Sequence, residues 1–312
     1  MAKTRKKIAR KQKSRPAPPP PTPRRAMRRM GGRLDAVAAA YARLLADPCN
    51  APLVHPVYAG GEGGYLARYE KDVIINQYSI ANTAGALIWT PALLSNPLAN
   101  TQPFSGGISN SAVYLTGAST AASTTPVVDN TACHWYSDTG SQPGYDQLCL
   151  MSGGARCVAA CLQVTYPGAE LDRSGIVSLA QIPDANAVLR NGSTSAGTTF
   201  TVSALRAVSP LVSRTPETTL EVKWKPSIGD QKFKTVDAAS QSDTAQHSAL
   251  VATWSGIKAS VGMRVRMVAV YEWVPRAANG LMNSNESRAR TPFTLDQVLN
   301  QLDMAGNWVY GS

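Results

Sequence analysis

Acidic residues are absent from the first 33 positions of the chain, although 20 Asp and Glu occur among its 312 residues. The same segment holds 13 of the 31 Lys and Arg residues. Without it, 18 basic residues face 20 acidic ones, so the whole formal net charge of +11 arises from this N-terminal arm. The cations of the arm are Lys3, Arg5, Lys6, Lys7, Arg10, Lys11, Lys13, Arg15, Arg24, Arg25, Arg28, Arg29 and Arg33.

The arm also lacks aromatic residues and has almost nothing apolar to bury. Its proline run, from Pro16 to Pro23, favours an extended polyproline II conformation and supplies few amide donors. These features predict a disordered arm. A flexible polycation without aromatic side chains binds the phosphate backbone through counterion release and does not read bases. The alternatives are a solvated tail and a localisation signal.

Apolar runs long enough to span a bilayer are missing, and the N-terminus lacks the apolar core of a secretory signal. We therefore expect no stable membrane insertion. Five cysteines without such a signal suggest reduced thiols. Cys157 and Cys161 are four residues apart in a predicted strand, about 13 Å, which is too far for a disulfide. We expect them to be small buried apolar residues.

No arrangement typical of an enzyme is visible. None of the three histidines, His55, His134 and His247, lies in a Cys/His hydrolase signature. Cys157 and Cys161 have no second pair at zinc-ligand spacing. The glycine-rich segment 60–64 lacks the Lys and Ser/Thr of a phosphate-binding loop. The sequence predicts a protein that is not an enzyme and has no catalytic or metal residues.

Alternating apolar and polar residues predict an all-β body. The alternation is clear in Tyr65–Ile75 and in Leu220–Trp224. The strand Met263–Val274 is long and has apolar residues on both faces, which predicts that both of its sides are covered. Eight or nine strands with long loops and no helical crossovers indicate an antiparallel sandwich or barrel. The other predicted strands are Ala84–Thr90, Ala112–Thr116, Arg156–Tyr166, Gly175–Ile182 and His247–Ser255.

Short amphipathic helices are predicted on either side of this body. Leu34–Ala46 has an apolar stripe at helical spacing. Thr294 and Gln297 have the spacing of a capping box, and the helix Thr294–Leu302 that follows is too short to be stable alone. Its polar face lacks Lys and Arg, so docking on protein, beside Leu34–Ala46, is favoured over binding to anionic lipid.

The order of these segments resembles the capsid proteins of small icosahedral RNA viruses of the tombusvirus, sobemovirus and nodavirus type. A basic, proline-rich arm is followed by a short helix and by strands that end in VAVYEWVP, Val268–Pro275. The segment Asp47–Pro52, with Gly63-Gly64-Tyr65 and Arg68 after it, is similar to the start of the first shell strand in such proteins.

The resemblance implies an eight-stranded antiparallel jelly-roll shell domain at 50–275. It also implies an RNA-binding arm at 1–33, a linker helix at 34–49 and a C-terminal extension with a short helix at 276–312. The extension is too short for the projecting domain of tombusviruses, and its sequence lacks the Asn-Ala bond at which nodavirus-type capsids cleave themselves.

The predicted function is a capsid protein that self-assembles into an icosahedral shell around single-stranded RNA, located in the virion and, during assembly, in the host cytoplasm. Capsids of this type hold calcium between subunits. Glu170, Asp172 and Asp184 lie in loops that could serve, but they are equally explained as turn formers, so no calcium site is assigned. The alternatives are a cellular nucleic-acid-binding protein with a β-sandwich body and an enzyme with an incidental tail.

Overall fold

Most of the regular structure consists of antiparallel β-strands, as the alternation predicts. The computed structural model describes residues 34–58, 64–75, 83–92, 112–116, 134–136, 143–183, 202–203, 206, 212–214, 219–234, 236, 248–258, 261–276, 292–305 and 309–311.

The described residues contain three α-helices and eleven strands. The helices are α1, Ala36–Ala46; α2, Tyr145–Met151; and α3, Pro292–Ala305. The strands are β1, Tyr65–Ile75; β2, Gly85–Trp89; β3, Ala112–Thr116; β4, His134–Tyr136; β5, Ser152–Thr165; β6, Ile176–Ile182; β7, Val212–Arg214; β8, Leu220–Lys223; β9, Ala249–Ser255; β10, Met263–Pro275; and β11, Val309–Gly311.

These strands form two antiparallel sheets. Sheet A has the order β1-β10-β5-β8-β11, and sheet B has the order β4-β3-β2-β9-β6-β7. In sheet A, β10 is paired along its length on both sides, with β1 and with β5. Strands that are distant in sequence are therefore neighbours in this sheet, and these long pairings join early and late parts of the chain.

The main core lies between the two sheets. One face of β10 supplies alternate residues from Met263 to Trp273, and sheet B supplies side chains such as Trp89, Leu179 and Trp254. Tyr65, Ala67 and Tyr69 of β1 pack against the same core. Because successive side chains of a strand point to opposite faces, every second residue of β10, and Tyr65, Ala67 and Tyr69 of β1, share the face that turns towards this core.

A second core covers the other face of sheet A. Buried residues of α1 and α3, together with Val57 and Tyr58, pack there against Val158 and Val270. The prediction that apolar residues on both faces of β10 imply cover on both sides is confirmed. We call α1, α3 and residues 51–58 the helix layer.

The structure differs from the predicted elements where the sequence signal is short. The segments β4, β7 and β11 have three residues each, too few for a visible alternation. The strand predicted at Arg156–Tyr166 begins at Ser152, because α2 ends immediately before it. The sequence also allows a short helix at 199–207, a segment of which the structure describes only 202, 203 and 206.

The start predicted for the C-terminal helix is wrong by two residues. The helix begins at Pro292, so Thr294 lies inside its first turn and does not cap it. Proline at the first helical position fits, since its fixed φ suits a helix and its missing amide would have no intrahelical partner. The predicted docking beside Leu34–Ala46 is confirmed, because α1 and α3 are in contact and share one core.

Candidate nucleic-acid interface

The predicted nucleic-acid-binding residues lie outside the described part of the chain. All 13 cations from Lys3 to Arg33 belong to residues 1–33, and the described chain begins at Leu34. The next residue, Asp35, caps α1 by accepting a hydrogen bond from the backbone N–H of Ala38 at 2.6 Å. The start of α1 is therefore fixed by a side-chain cap.

Two buried tyrosines attach α1 and the segment after it to sheet A. The Tyr41 hydroxyl donates to the carbonyl of Val158 at 2.9 Å, and the Tyr58 hydroxyl donates to the carbonyl of Cys157 at 3.1 Å. Their rings meet edge to face with centroids 6.0 Å apart. Burial raises the pKa of both phenols, so both remain neutral donors at physiological pH.

A buried ion pair lies beside this attachment. Glu272 of β10 is only 1% exposed and accepts from Arg156 of β5, whose Nε and terminal nitrogen lie 2.7 and 2.6 Å from one carboxylate oxygen. The other oxygen is 2.9 Å from Nδ1 of His55 and 2.8 Å from the backbone N–H of Gly64. The Arg156 guanidinium also lies 4.2 Å from the ring centre of Phe233.

The polar partners of Glu272 lower its pKa by more than burial raises it. Desolvation alone would raise the pKa of this carboxyl, but the hydrogen bond from His55, the charge of Arg156 and the Gly64 amide hold it below its usual value. The carboxylate is therefore ionised at neutral pH with its oxygens engaged. This arrangement holds the segment before β1 against the sheet, which is a structural role.

The end of sheet A that the helix layer leaves exposed carries paired charges. Arg266 donates to both carboxylate oxygens of Glu70 at 2.6 Å, and Arg264 donates to Asp72 at 2.8 Å. Gln163 connects Arg266 to Glu221. A phosphate would have to compete with these carboxylates, so this surface offers little free positive charge.

Outside the arm, the sequence suggests solvent-facing strand positions for four lysines, with a contribution to a positive inner surface as the alternative: Lys223, Lys225, Lys232 and Lys234. Lys223 is 6% exposed, which corrects the expectation of a solvent-facing position. Lys225 makes a 2.6 Å salt bridge to Asp303 and so ties the end of β8 to α3. Lys234 pairs through its backbone with Ala155, and Lys232 is exposed. The arm remains the main cationic candidate.

The candidate calcium ligands are partly outside the described residues. Glu170 lies 3.5 Å from Arg173, and Asp172 makes a 2.6 Å salt bridge to Lys258. Asp184 is not among the described residues. Because an arginine and a lysine already face the first two carboxylates, a calcium ion would have to displace those contacts. Calcium between subunits stays a prediction without a site.

The cysteines correct one sequence-based expectation. Cys49 and Cys161 form a disulfide with Cα atoms 6.7 Å apart, although both were expected to be reduced. Cys157 is buried with a free thiol, as expected, and burial raises its pKa. Spacing in the sequence could not reveal the pair, because 112 residues separate its members. The spacing argument considered only Cys157 as the partner of Cys161, whereas the partner is Cys49.

Sequence reasoning also missed the Arg156–Glu272 pair. A signal was present, since both residues interrupt otherwise apolar strands, and charged residues are rarely fully buried unless paired. His55 contacts this pair, whereas His247 and the side chain of His134 lie outside the described residues. None of the helices in the described part of the chain has the length and apolar character needed to cross a bilayer.

No protein-family model and no curated protein sequence matches the chain. Solved structures do. A structure of T=1 particles derived from infectious bursal virus matches with a TM-score of 0.52 and 10% identity, over 87% of this chain and 93% of that one. The D431N VP2 protein of infectious bursal disease virus, also as T=1 particles, matches with a TM-score of 0.54 and 9% identity, over 88% and 94% of the two chains.

A third structure, the T13 particle of the same virus, matches with a TM-score of 0.52 and 9% identity, over 88% of this chain and 93% of that one. At this identity the likeness concerns the fold. It nevertheless covers 87–88% of this chain and 93–94% of the matched chains. The chain therefore has the fold of the capsid proteins of small icosahedral viruses.

Proposed function

We propose that this chain is a viral capsid protein that self-assembles into an icosahedral shell and packages single-stranded RNA through its basic arm. One observation carries the proposal: the chain matches particle-forming VP2 proteins over about nine-tenths of both lengths. Because the match covers most of the body, little of the chain remains for a domain with a different function. The virion is the resulting location, with the host cytoplasm as the site of assembly.

The strand pairing supports an eight-stranded jelly roll as the shell domain. The first strand, β1, pairs with the last, β10; β2 pairs with β9; β5 pairs with β8; and β6 pairs with β7. This nested order is that of a single long hairpin folded over into two sheets. In this interpretation β3, β4 and β11 are additions at the sheet edges.

The attachment of the arm indicates which side of the shell domain faces the RNA. The arm joins α1, and α1 lies on the outer face of sheet A, not in the core between the sheets. In a closed shell the arms converge on the genome, so the helix layer faces the interior. The balanced charges of sheet A then leave the attraction for RNA to the 13 cations of each arm.

A structural role without catalysis fits the polar sites described. The buried ion pair of Glu272 and Arg156 binds one segment of the chain to another. The matched structures are of virus-derived particles, which are assemblies of protein subunits. The proposal therefore includes many identical copies as the main protein partner.

The test is expression of the full chain, followed by size-exclusion chromatography and negative-stain electron microscopy. The proposal predicts elution near the void volume and round particles of uniform diameter. Nuclease-treated particles should retain RNA that is released on denaturation. Elution as a small oligomer that binds nucleic acid would contradict the shell and favour the cellular nucleic-acid-binding alternative.

A further inference from the structure

One cluster of reactive groups has no part in the proposed function. The Sγ atoms of Cys49 and Cys161 and a carboxylate oxygen of Glu221 lie within 4.8 Å of one another. Cys49 lies in the turn after α1, and Cys161 lies in the middle of β5. Both cysteines are buried, and both pack against Val268 of β10. The cluster thus joins the end of α1 to the centre of sheet A.

The surroundings favour a disulfide over a bound cation. Lys223 lies directly opposite Cys161 in the pairing of β5 with β8, and its ammonium group is 3.7 Å from Glu221. Glu221 also accepts a hydrogen bond from Gln163 at 2.6 Å. A divalent metal would have to share this pocket with a buried lysine. Disulfide exchange requires a thiolate, and Lys223 is the cation that offsets the Glu221 carboxylate beside the two sulfur atoms.

We propose that Cys49 and Cys161 form a redox-controlled clamp on the N-terminal segment. In the reducing interior of a cell the pair is a dithiol, and oxidation by a low-molecular-weight disulfide closes it. The Cys49 thiolate attacks the small disulfide RSSR, forming a mixed disulfide and releasing one thiolate, RS⁻. The Cys161 thiolate then attacks Sγ of Cys49 and releases the second RS⁻. Two protein thiols and RSSR become one protein disulfide and two RSH.

The closed clamp fixes the point at which α1 leaves the sheet. The turn that carries Cys49 is otherwise held by hydrogen bonds of Asp47, which accepts from the backbone and side-chain nitrogens of Asn50 at 3.2 and 3.0 Å. Because Cys49 is buried, small reagents reach the pair only when this turn opens, so exchange is slow. Resting on the proposed function, this last step adds that oxidation strengthens the attachment of α1 to the shell domain and that reduction weakens it.

The experiment measures thiols and proteolysis on the purified full chain after equilibration with oxidised or reduced glutathione. Of the five cysteines, three should react with a thiol reagent in denaturant after oxidation, and all five after reduction. Trypsin cleavage after Arg43, an exposed residue of α1, should be about tenfold faster or more in the reduced protein, since proteolysis follows the population of the open form.

Two variants and one probe make the result decisive. Cys49→Ser should show fast cleavage under both conditions, whereas Cys149→Ser, which changes a cysteine outside the pair, should keep the redox dependence. Equal cleavage rates for oxidised and reduced wild-type protein would overturn the clamp. A second result would also overturn the clamp: the reduced protein binds Co²⁺ and shows a thiolate charge-transfer band, and Glu221→Gln removes that band. Such a result would identify a metal site. Neither readout requires assembly, so failure of the clamp and failure of the shell are distinguishable.

Discussion

At the scale of single residues, Val268 occupies a junction of three elements. Its side chain is fully buried and packs against the disulfide that joins the turn after α1 to β5. In the chain-entropy description, closing a loop of about 100 residues stabilises a fold by about 4.7 kcal/mol. Val268 shields that bond from water, so its size and apolar character matter more than those of an ordinary strand residue.

Val268→Asp is therefore expected to abolish soluble, assembled protein, because the carboxylate would be buried without a partner at a cost of several kcal/mol. The measurement is the soluble fraction after expression, followed by electron microscopy. Ile74→Asp is the matched control, since Ile74 is a β-branched strand residue on the same sheet but is exposed. Normal particles from Val268→Asp would show that β10 is misplaced.

Glu272 gives a prediction about pH. The pKa of this carboxyl is lower in the folded chain than its usual value of 4.5. Its contribution to stability is therefore present at neutral pH and is lost as the pH falls through the folded pKa. Glu272→Gln should lower the free energy of unfolding at pH 7 by about 3–5 kcal/mol, because Arg156 loses its counter-ion.

The variant should also lose part of the acid dependence between pH 5 and the folded pKa of Glu272. Urea unfolding at a series of pH values measures both effects. Glu170→Gln, at an exposed carboxyl with one 3.5 Å contact to Arg173, should change stability by no more than about 0.5 kcal/mol. Identical pH dependence in wild type and Glu272→Gln would argue against a structural role for this ion pair.

At the scale of elements, the two terminal helices depend on each other. Val298 of α3 is fully buried in the core that α1 also forms, and Lys225 holds the last turn of α3 through Asp303. An isolated helix of 14 residues is marginal in water, so α3 is stable because it is docked. What disturbs one helix is expected to loosen the other.

Val298→Asp should undock α3 and make the C-terminal segment sensitive to trypsin at Arg288 and Arg290, while Asn300→Asp, on the exposed side of the same helix, should not. Limited proteolysis of purified particles, followed by intact-mass measurement, gives the answer. If wild-type particles lose the helix as rapidly as Val298→Asp and remain intact, α3 is not needed for the structure.

The elements differ in how well the sequence predicts them. The predicted bounds of β1 agree with the structure, because its pattern of apolar and polar residues extends over eleven positions and so marks both ends of the strand. The three residues of β7 carry no such pattern and become a strand only by pairing with β6. The Cys49–Cys161 pair and the contact of His55 with Glu272 join residues more than 100 positions apart, so both follow from the tertiary fold.

At the scale of the whole molecule, charge is separated from the folded body. The body holds its carboxylates and cations in pairs, such as Glu70 with Arg266, while the net charge of the chain belongs to the arm. Assembly and RNA binding are thus expected to be separable functions. Either could change without disturbing the other.

Deleting residues 2–33 should leave a soluble body that forms empty or differently sized particles. The measurement is the ratio of absorbance at 260 and 280 nm for purified, nuclease-treated particles. A variant in which every Lys of the arm becomes Arg keeps the charge and should package normally, since phosphate binding here depends on charge. Full packaging by the deletion variant would contradict the role of the arm.

Salt dependence tests the same electrostatics without particles. For single-stranded RNA, log K falls with log salt by about 0.7 for each cation engaged, so a peptide of residues 1–33 should approach a slope of about −9 if all its cations bind. Replacing Arg24, Arg25, Arg28 and Arg29 by Gln should reduce the slope by about 3. A slope near zero would indicate recognition by something other than charge.

The position of β10 has a consequence for synthesis on the ribosome. It pairs with β1 on one side and β5 on the other, yet about 200 residues separate its start from that of β1. At roughly 5–20 residues per second, β1 waits about 10–40 s and β5 about 5–20 s for the strand that joins them. A chain broken off before Met263 keeps two unpaired edges, which are sites of aggregation and of proteolytic removal. Synthesis of β10 is therefore the step that joins β1 to β5, and only a chain that extends to Pro275 can complete this pairing.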